Sequence, residues 1–411
     1  MNDSLIFTLW LTLSFGSGSA VIHDVLRRFE SPEEAYFAIA EKRNISFLSA
    51  KELNGCHGVS LDLCRRLADY CALKDIGIVT FFDDDYPNML RDIYNPPLAL
   101  FYRGDISFLN SMPAFAVVGA REIMVYPQRV TERICGELTE SGMCIISGFA
   151  VGTDTAAHTA TIRAGGKTAA ILGCGVDVDY PKGTLPFRTE IVENGGAVIS
   201  EYPPGTKPSS PHFPVRNRII SGLSLGVLVT QASGKSGALN TAATALSQGR
   251  DVFCLPPADI YDEAFAGNIT LLREGAVPVF GYKDILYEYC SSYSHKLSLP
   301  NPLTPYISKE DSFLFSEDDE EENEVRAGIP KKSSHSAQPE EQSARIFTEE
   351  ELSQLDDSQA AVMKLLSQGR MHVDDLSEQS GIDIGDLSAV LTELELYGFI
   401  RALAGNCFEL E

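Results

Sequence analysis

"MCIISGFAVGTDTAAHTATIRAGGKTAAILGCG", Met143–Gly175, decides how the chain is read. Two short apolar runs, each closed by glycine, are separated by an alanine- and threonine-rich stretch of helical length. Runs this short, apolar on both faces and bounded by glycine, predict strands buried on both sides of a sheet. Strand, helix, strand is a right-handed βαβ crossover, which makes the two strands parallel. Ligands of such sheets lie beyond the carboxyl ends of the strands, so the glycine-rich strand ends are where a site is expected.

The same alternation runs outward in both directions. "AFAVVGA", "GAVISEY", "LGVLVTQ" and "RDVFCLPP" read as further buried strands, and "YPQRVTERICGELTES", "GTLPFRTEIVENGG", "NRIISGLS" and "GALNTAATALSQGR" as the helices between them. The pattern predicts an α/β fold with a Rossmann-like, doubly wound, mostly parallel sheet over 76–300. Residues 1–75 carry little β-branched patterning and read as a helical module of helix-hairpin-helix or SAM-like type, with "GSGS" at Gly16–Ser19 as a hairpin turn. Packing is the favoured role for that module; contact of its turn amides with a phosphate backbone is the alternative. "LIFTLWLTLSF", Leu5–Phe15, has no basic residue before it and no cleavage site after it, and is too short to span a bilayer. It reads as a core-facing helix, and no membrane insertion is expected.

Residues 301–353 contain "SEDDEEENEVRAGIPKKSSHSAQPEEQSAR", polar, acidic and almost free of aliphatics, and are expected to be a disordered linker. Residues 354–411 follow the order of a winged-helix domain. Its recognition helix, "DIGDLSAVLTELELY", carries acids and no base, which favours protein docking or a structural role over DNA reading.

The chain has 411 residues and a formal charge of −24, with 57 acids against 33 bases, and such a sum by itself argues against a polyanionic partner. Between Tyr202 and Arg250, however, there is no Asp or Glu, while Lys207, Arg216, Arg218, Lys235 and Arg250 all fall inside. That window reads as a local electropositive footprint for phosphate. Nine singly scattered cysteines without a zinc spacing read as reduced thiols of a cytoplasmic protein.

Four strand ends carry possible anion chemistry. In "VVGARE", Gly119 closes a strand and Arg121 follows at a helix start. In "SGFAVGTDTAAHTA", Ser147, Gly148 and Gly152 form a loop that brings amides near a phosphate. Asp154 and His158 lie four apart on the next helix and read as orienting the loop; a metal pair or an acid/base pair is the other reading, with no third ligand or nucleophile at a recognisable spacing. In "LGCGVDVDYPKG", Val178 stands where a dinucleotide fingerprint needs its third glycine, so no NAD is implied and Lys182 is the better phosphate group. In "ASGKSGALNTA", Val229 occupies the position of the first Walker A glycine, which excludes a nucleoside triphosphatase and leaves Lys235 beside a helix start. Arg216 and Arg218 of "HFPVRNRIISGLS" complete the set as a pair able to reach successive phosphates.

"YPNMLRDIYNPPLALFYRG", "VVGAR", "SGFAVGTDTAAH", "GGKTAAILGCGVDVDYPKG", "GGAVISEYPPG", "FPVRNRIISGLS", "KSGALNTAATALSQGRDVFCLPP" and "AGNITLLREGA" occur in the order found in the DNA-processing protein A family (DprA, also called Smf), which the chain resembles over about 80–282. The resemblance implies a non-enzymatic, cofactor-free protein that binds single-stranded DNA, protects incoming strands in natural transformation, helps load the RecA recombinase and works as a homodimer. Carried over motif by motif, Arg121, the loop of Ser147, Gly148, Phe149 and Gly152, Lys182, Arg216, Asn217, Arg218, Lys235, Ser236 and Gly237 become the strand-binding pocket, with no metal. Val151 replaces a basic residue of the family's loop, Gln231 a glutamate, Pro256-Pro257 a Pro-Gly, and Pro127 follows Tyr126 where the family has glycine. The alternative is a Rossmann-like nucleotide hydrolase of the phosphoribohydrolase type, which rests on Asp154 and His158 but lacks that class's "PGGxGT" run.

Overall fold

The computed structural model describes residues 3–298, 357–366, 370–383, 387, 390, 391, 394, 399–403 and 407–410. The expected linker over 301–353 lies outside them. The described residues form two units, taken separately below.

The first unit opens with five helices: α1 (Asp3–Phe15), α2 (Val21–Leu26), α3 (Pro32–Ala40), α4 (Ala50–Gly58) and α5 (Leu61–Leu73). Helix α1 has no polar face because it is the centre of the module, with Ile6, Leu9, Trp10 and Leu11 almost wholly buried. Its two buried threonines are satisfied within the helix, Thr8 donating to the Ser4 carbonyl at 2.8 Å and Thr12 to the Thr8 carbonyl at 3.0 Å. The Trp10 indole N–H donates to the Val59 carbonyl at 3.1 Å, fastening the α4–α5 turn to α1. Ser31, Ser49 and Ser60 cap the three helices that follow, and Ser49 with Glu52 forms a reciprocal capping box.

A nine-stranded sheet follows: β1 (Gly77–Thr80), β2 (Ala99–Gly104), β3 (Ala114–Val118), β4 (Cys144–Ser147), β5 (Thr168–Leu172), β6 (Ala197–Ser200), β7 (Gly226–Val229), β8 (Asp251–Cys254) and β9 (Val277–Pro278), in the order β1-β2-β6-β5-β4-β3-β7-β8-β9. The strands from β3 to β9 are parallel, whereas β1 and β2 are antiparallel additions at one edge. The chain runs outward from β3 through β4, β5 and β6, then returns to β7 on the other side of β3. In β3 the side chains alternate: Ala116 and Val118 join the core on one face, Phe115 and Val117 the core on the other. Double burial is why the strands read as unbroken apolar runs.

The helices between the strands are α6 (Asn88–Arg91), α7 (Phe108–Ser111), α8 (Val125–Glu140), α9 (Thr153–Arg163), α10 (Leu185–Glu193), α11 (His212–Gly222), α12 (Gly237–Ser247) and α13 (Ala266–Arg273), and α14 (Tyr282–Tyr289) follows the last strand. Helix α11 starts at His212, so Pro214 lies in its first turn, where a missing N–H costs nothing. Arg216 and Arg218 are therefore both helical and point about 200° apart around the axis, not along one extended ledge.

The turn at Gly16–Ser19 packs on the sheet. Glu201, buried just beyond β6, accepts from the Gly18 amide at 2.9 Å and from Arg218 at 2.8 Å, and its own carbonyl accepts from Ser17 at 3.1 Å. Asn95 donates to the Gly18 carbonyl at 2.8 Å while its carbonyl accepts from Arg218 at 3.0 Å. A Cβ on Gly18, whose φ is +77°, would sit 2.4 Å from Val215 of α11. This close approach requires glycine and leaves the turn amide no role in phosphate contact.

The second unit contains a helix over Asp357–Leu366, β10 (Met371–His372), a helix over Val373–Ser380, and the hairpin of β11 (Ile400–Leu403) and β12 (Cys407–Leu410), with sheet order β10-β12-β11. Val362, Leu366, Leu376, Leu387, Leu391, Leu394 and Ile400 form its core. This is a small winged-helix domain.

No helix among the described residues is long and apolar enough to cross a membrane. The eight cysteines whose side chains are described are free thiols.

Candidate functional site

A pocket of about 290 Å³ opens beyond the carboxyl ends of β4 and β5. Its wall is built by three glycine-containing strand ends and the first turns of α11: Arg121 after β3, the Gly148–Val151 loop after β4, Gly173, Cys174, Tyr180 and Lys182 after β5, and Phe213 and Arg216 of α11. Three of these residues are cationic and none is a carboxylate. In a concave site that imbalance attracts anions.

The three cations are held differently. Arg121 is exposed, with its guanidinium 5.8 Å from the centroid of the Phe213 ring. Lys182 is exposed on the rim. Arg216 is 6% exposed and forms the floor, donating to the Gly148 and Ile171 carbonyls and, at 3.2 Å, to the Asn217 side-chain oxygen. A single guanidinium thus ties together the loop after β4 and the end of β5. Its charge survives burial because guanidinium is too strong a base to be neutralised.

The loop itself is locally forced. Phe149 has φ +60° and Gly152 has φ +82°, which reverse the chain between β4 and α9. The Asp154 carboxylate reaches back to accept the Ala150 amide at 2.9 Å. Burial pushes that carboxyl up, while the Ala150 amide and the Arg216 charge pull it back down. The amides of Phe149 and Val151 donate to no group among the described residues, so this turn of backbone offers donors to a ligand. A Cβ on Gly152 would lie 2.4 Å from the carbonyl oxygens of both Ala120 and Arg121. Gly152→Ala is therefore expected to combine left-handed strain with a backbone clash and to cost about 3 kcal/mol or more; an unchanged urea midpoint would exclude this account of the loop.

His158 is fully buried and does not reach the pocket. The Thr168 hydroxyl donates to the Ile145 carbonyl at 2.7 Å, so it must accept from His158 Nδ1–H at 2.7 Å. Nε2 is then unprotonated, and it has no partner among the described residues. Burial, then the Arg216 charge, lowers the imidazole pKa to about 3. Between pH 6.5 and 3 the unfolded chain accordingly binds the proton that the folded chain refuses, and stability falls as pH falls, by about 1.4 kcal/mol per pH unit. Asp154, with its raised carboxyl, opposes this. The difference in urea midpoint between wild type and His158→Gln should change sign or shrink sharply between pH 7 and pH 4; a constant difference would rule out a neutral buried His158. Asp154 and His158 are both engaged internally, and neither lines the pocket. Their geometry offers no acid/base pair to a nucleotide, which removes the observation behind the hydrolase alternative.

The remaining residues singled out by sequence lie elsewhere. Ser147 is fully buried and donates to the Val117 carbonyl at 2.6 Å. Asn217 is buried beside Arg216 and donates to Asn240 at 3.4 Å. Arg218 does not line the pocket; it is paired with Glu201 on the opposite side of α11, for the helical reason above. Lys235 is exposed, but Lys235, Ser236 and Gly237 form the start of α12, where Ser236 Oγ accepts the Ala238 amide at 3.2 Å, and none of them lines the pocket. The basic window over 202–250 therefore overstated the exposed charge. Arg216, Arg218 and Arg250 are engaged internally, Arg250 donating to the Met89 and Gly222 carbonyls at 3.0 and 3.5 Å. Backbone carbonyls accept from all three, and the one carboxylate among the described residues that pairs directly with them, Glu201 on Arg218, lies just outside the segment.

Tyr180, Phe213, Cys174 and Val151 belong to the pocket and were not proposed from sequence. The Tyr180 and Phe213 rings are 5.6 Å apart between centroids, and together they make one wall aromatic. Both aromatics sit inside motifs already quoted for their cations, "DYPKG" and "HFPVRNR", and a flat ring beside a cation in each was the available signal.

The chain is similar to known proteins. A family model described as DNA recombination-mediator protein A matches residues 77–290, and one described as DprA winged helix domain matches residues 348–406. The DNA processing protein DprA of Streptococcus pneumoniae is 42% identical over 210 residues, covering 51% of this chain and 73% of that protein. DNA processing protein DprA of Bacillus subtilis is 38% identical over 226 residues, covering 55% and 75%. The X-ray structure of the Streptococcus pneumoniae protein superposes with a TM-score of 0.60 at 34% identity, over 70% of this chain and 98% of that one.

Proposed function

Since the chain belongs to the DNA recombination-mediator protein A family and carries the winged-helix domain found with it, we propose that the pocket beyond β4 and β5 binds single-stranded DNA without catalysis and without a cofactor. The observation that carries this reading is the pairing of three cations with two aromatic rings and free loop amides in one acid-free pocket. Phosphate wants the guanidinium and ammonium groups and the amides, and a nucleobase wants the flat rings; single strands offer both together. A duplex hides its bases.

Arg121 and Lys182 are the residues that meet phosphate, Tyr180 and Phe213 offer the stacking surface, and Arg216 acts mainly by holding the floor. Protection of incoming strands in natural transformation, help in loading the RecA recombinase, a cytoplasmic location and assembly as a homodimer follow as parts of the same reading. Lys235 and the turn at Ser236 and Gly237 belong to it as a second phosphate contact along the strand, outside the pocket. The acidic segment over 383–397, expected as the recognition helix and mostly outside the described residues, favours a protein partner for that domain.

The test is a fluorescence-anisotropy titration of labelled oligonucleotides across salt concentrations. Single-strand affinity should fall steeply with salt and exceed duplex affinity. Equal affinity for duplex, or no binding at low salt, would overturn the proposal.

A further inference from the structure

We propose that Arg188, a residue outside the pocket wall, is the positioning residue of its rim, and that it governs single-strand affinity by holding Tyr180 and Lys182 in place. The inference rests on the reading of the pocket given above. Arg188 lies in the first turn of α10 and is 4% exposed. Its guanidinium donates to the Val176 carbonyl at 3.3 Å and to the Tyr180 carbonyl at 2.5 Å, so it spans the loop that leaves β5. Its flat face lies 5.1 Å from the centroid of the Phe149 ring, which is itself part of the loop after β4. Arg188 thus joins, from beneath, the two loops that form opposite sides of the pocket, as Arg216 joins them from the floor.

The rest of the rim is held from the surface. Asp179 accepts the amides of Gly183 and Thr184 at 2.8 and 3.1 Å, and Thr184 donates to the Pro181 carbonyl at 2.6 Å. Asp177 accepts the Gly205 amide at 2.7 Å and the Tyr70 hydroxyl, from α5, at 3.0 Å. All but the Thr184–Pro181 contact are solvent-exposed, where water competes for the same groups. Arg188 fastens the rim from within the core, where its guanidinium serves the two carbonyls and interacts with the Cys174 thiol and the Asp179 charge, its Nε left without an acceptor among the described residues. Among the described residues Lys182 meets no hydrogen-bond or ion-pair partner, so the direction of its ammonium group follows the loop.

Two measurements on the full chain test this. Without DNA, hydrogen exchange of the amides over 176–184 should accelerate in Arg188→Met while exchange in α8 and α9 stays as in wild type; unchanged exchange of the rim would overturn the proposal whatever the ligand is. With oligonucleotides, Arg188→Met should weaken binding about tenfold, the loss of roughly one to two charge-assisted hydrogen bonds, and Arg188→Lys, which keeps donors and charge, should recover most of it. In a Tyr180→Ala/Lys182→Ala background the same Arg188→Met change should weaken binding by much less than it does alone, because the groups it positions are gone. Equal effects in the two backgrounds would show a merely structural arginine. Failure of wild type to bind any oligonucleotide would sink the binding function while leaving the exchange result to judge the rim.

Discussion

Replacing Arg216 with alanine is expected to damage both the fold and the binding site. The guanidinium is buried, and its loss leaves the Gly148 and Ile171 carbonyls without their donor and Asp154 without the nearby positive charge. Removing one member of a buried charged network costs about 3–5 kcal/mol, because the partners stay buried and unsatisfied. At about 2–4 °C per kcal/mol for a domain of this size, the thermal midpoint should fall by about 10 °C. Single-strand affinity should fall with it, since the loop after β4 loses its anchor. Differential scanning calorimetry separates the two effects when compared with the pocket-wall variants below. An Arg216→Ala protein with an unaltered midpoint and lost binding would mean that the guanidinium serves only the ligand, contrary to its hydrogen bonds.

The Arg121→Ala/Lys182→Ala double variant is the counterpart, with a large effect on affinity and almost none on stability. Both side chains are exposed, and surface substitutions of this kind usually change stability by no more than about 0.5 kcal/mol. Each removed phosphate contact should lower the slope of log affinity against log salt by about 0.7 for a single strand, so the double variant should lose about 1.4. At low salt the affinity should drop about 100-fold, as two charge-assisted contacts of about 1.4 kcal/mol each would give. The measurement is the salt-dependent anisotropy titration with calorimetry alongside. A slope equal to that of wild type would place the phosphate track elsewhere, with the Lys235 turn as the next surface to test.

These two variants separate what a cation does inside the fold from what it does for a ligand, and the sequence alone could not. Arg216, Arg218 and Lys235 are equivalent as letters in one acid-free window. Arg218 was read as a strand contact, yet it meets Glu201 and Asn95 and, through them, Gly18, a residue about 200 positions earlier in the chain. Arg188 attracted no notice, because an arginine in a helix beside the Tyr-Pro-Lys-Gly loop carries no motif; its meaning lies in two carbonyls and one ring brought to it by folding.

What the sequence by itself determined was the architecture. Period and punctuation are local properties: doubly buried strands demand continuous apolar runs, and their ends demand glycine, as at Gly148 beside Arg216 and at Gly152 with φ +82°. Hence the six strands β3 to β8, the helices between them and the position of the pocket at the strand ends were all legible. The edge strands β1 and β2 were not resolved individually, since short antiparallel additions have no crossover helix to announce them. Only the tertiary structure decided which cations face solvent and which are held inside. That outcome depends on the 100° step of helix α11, which sends Arg216 to the pocket and Arg218 away from it, and on carbonyl acceptors supplied by segments distant in sequence.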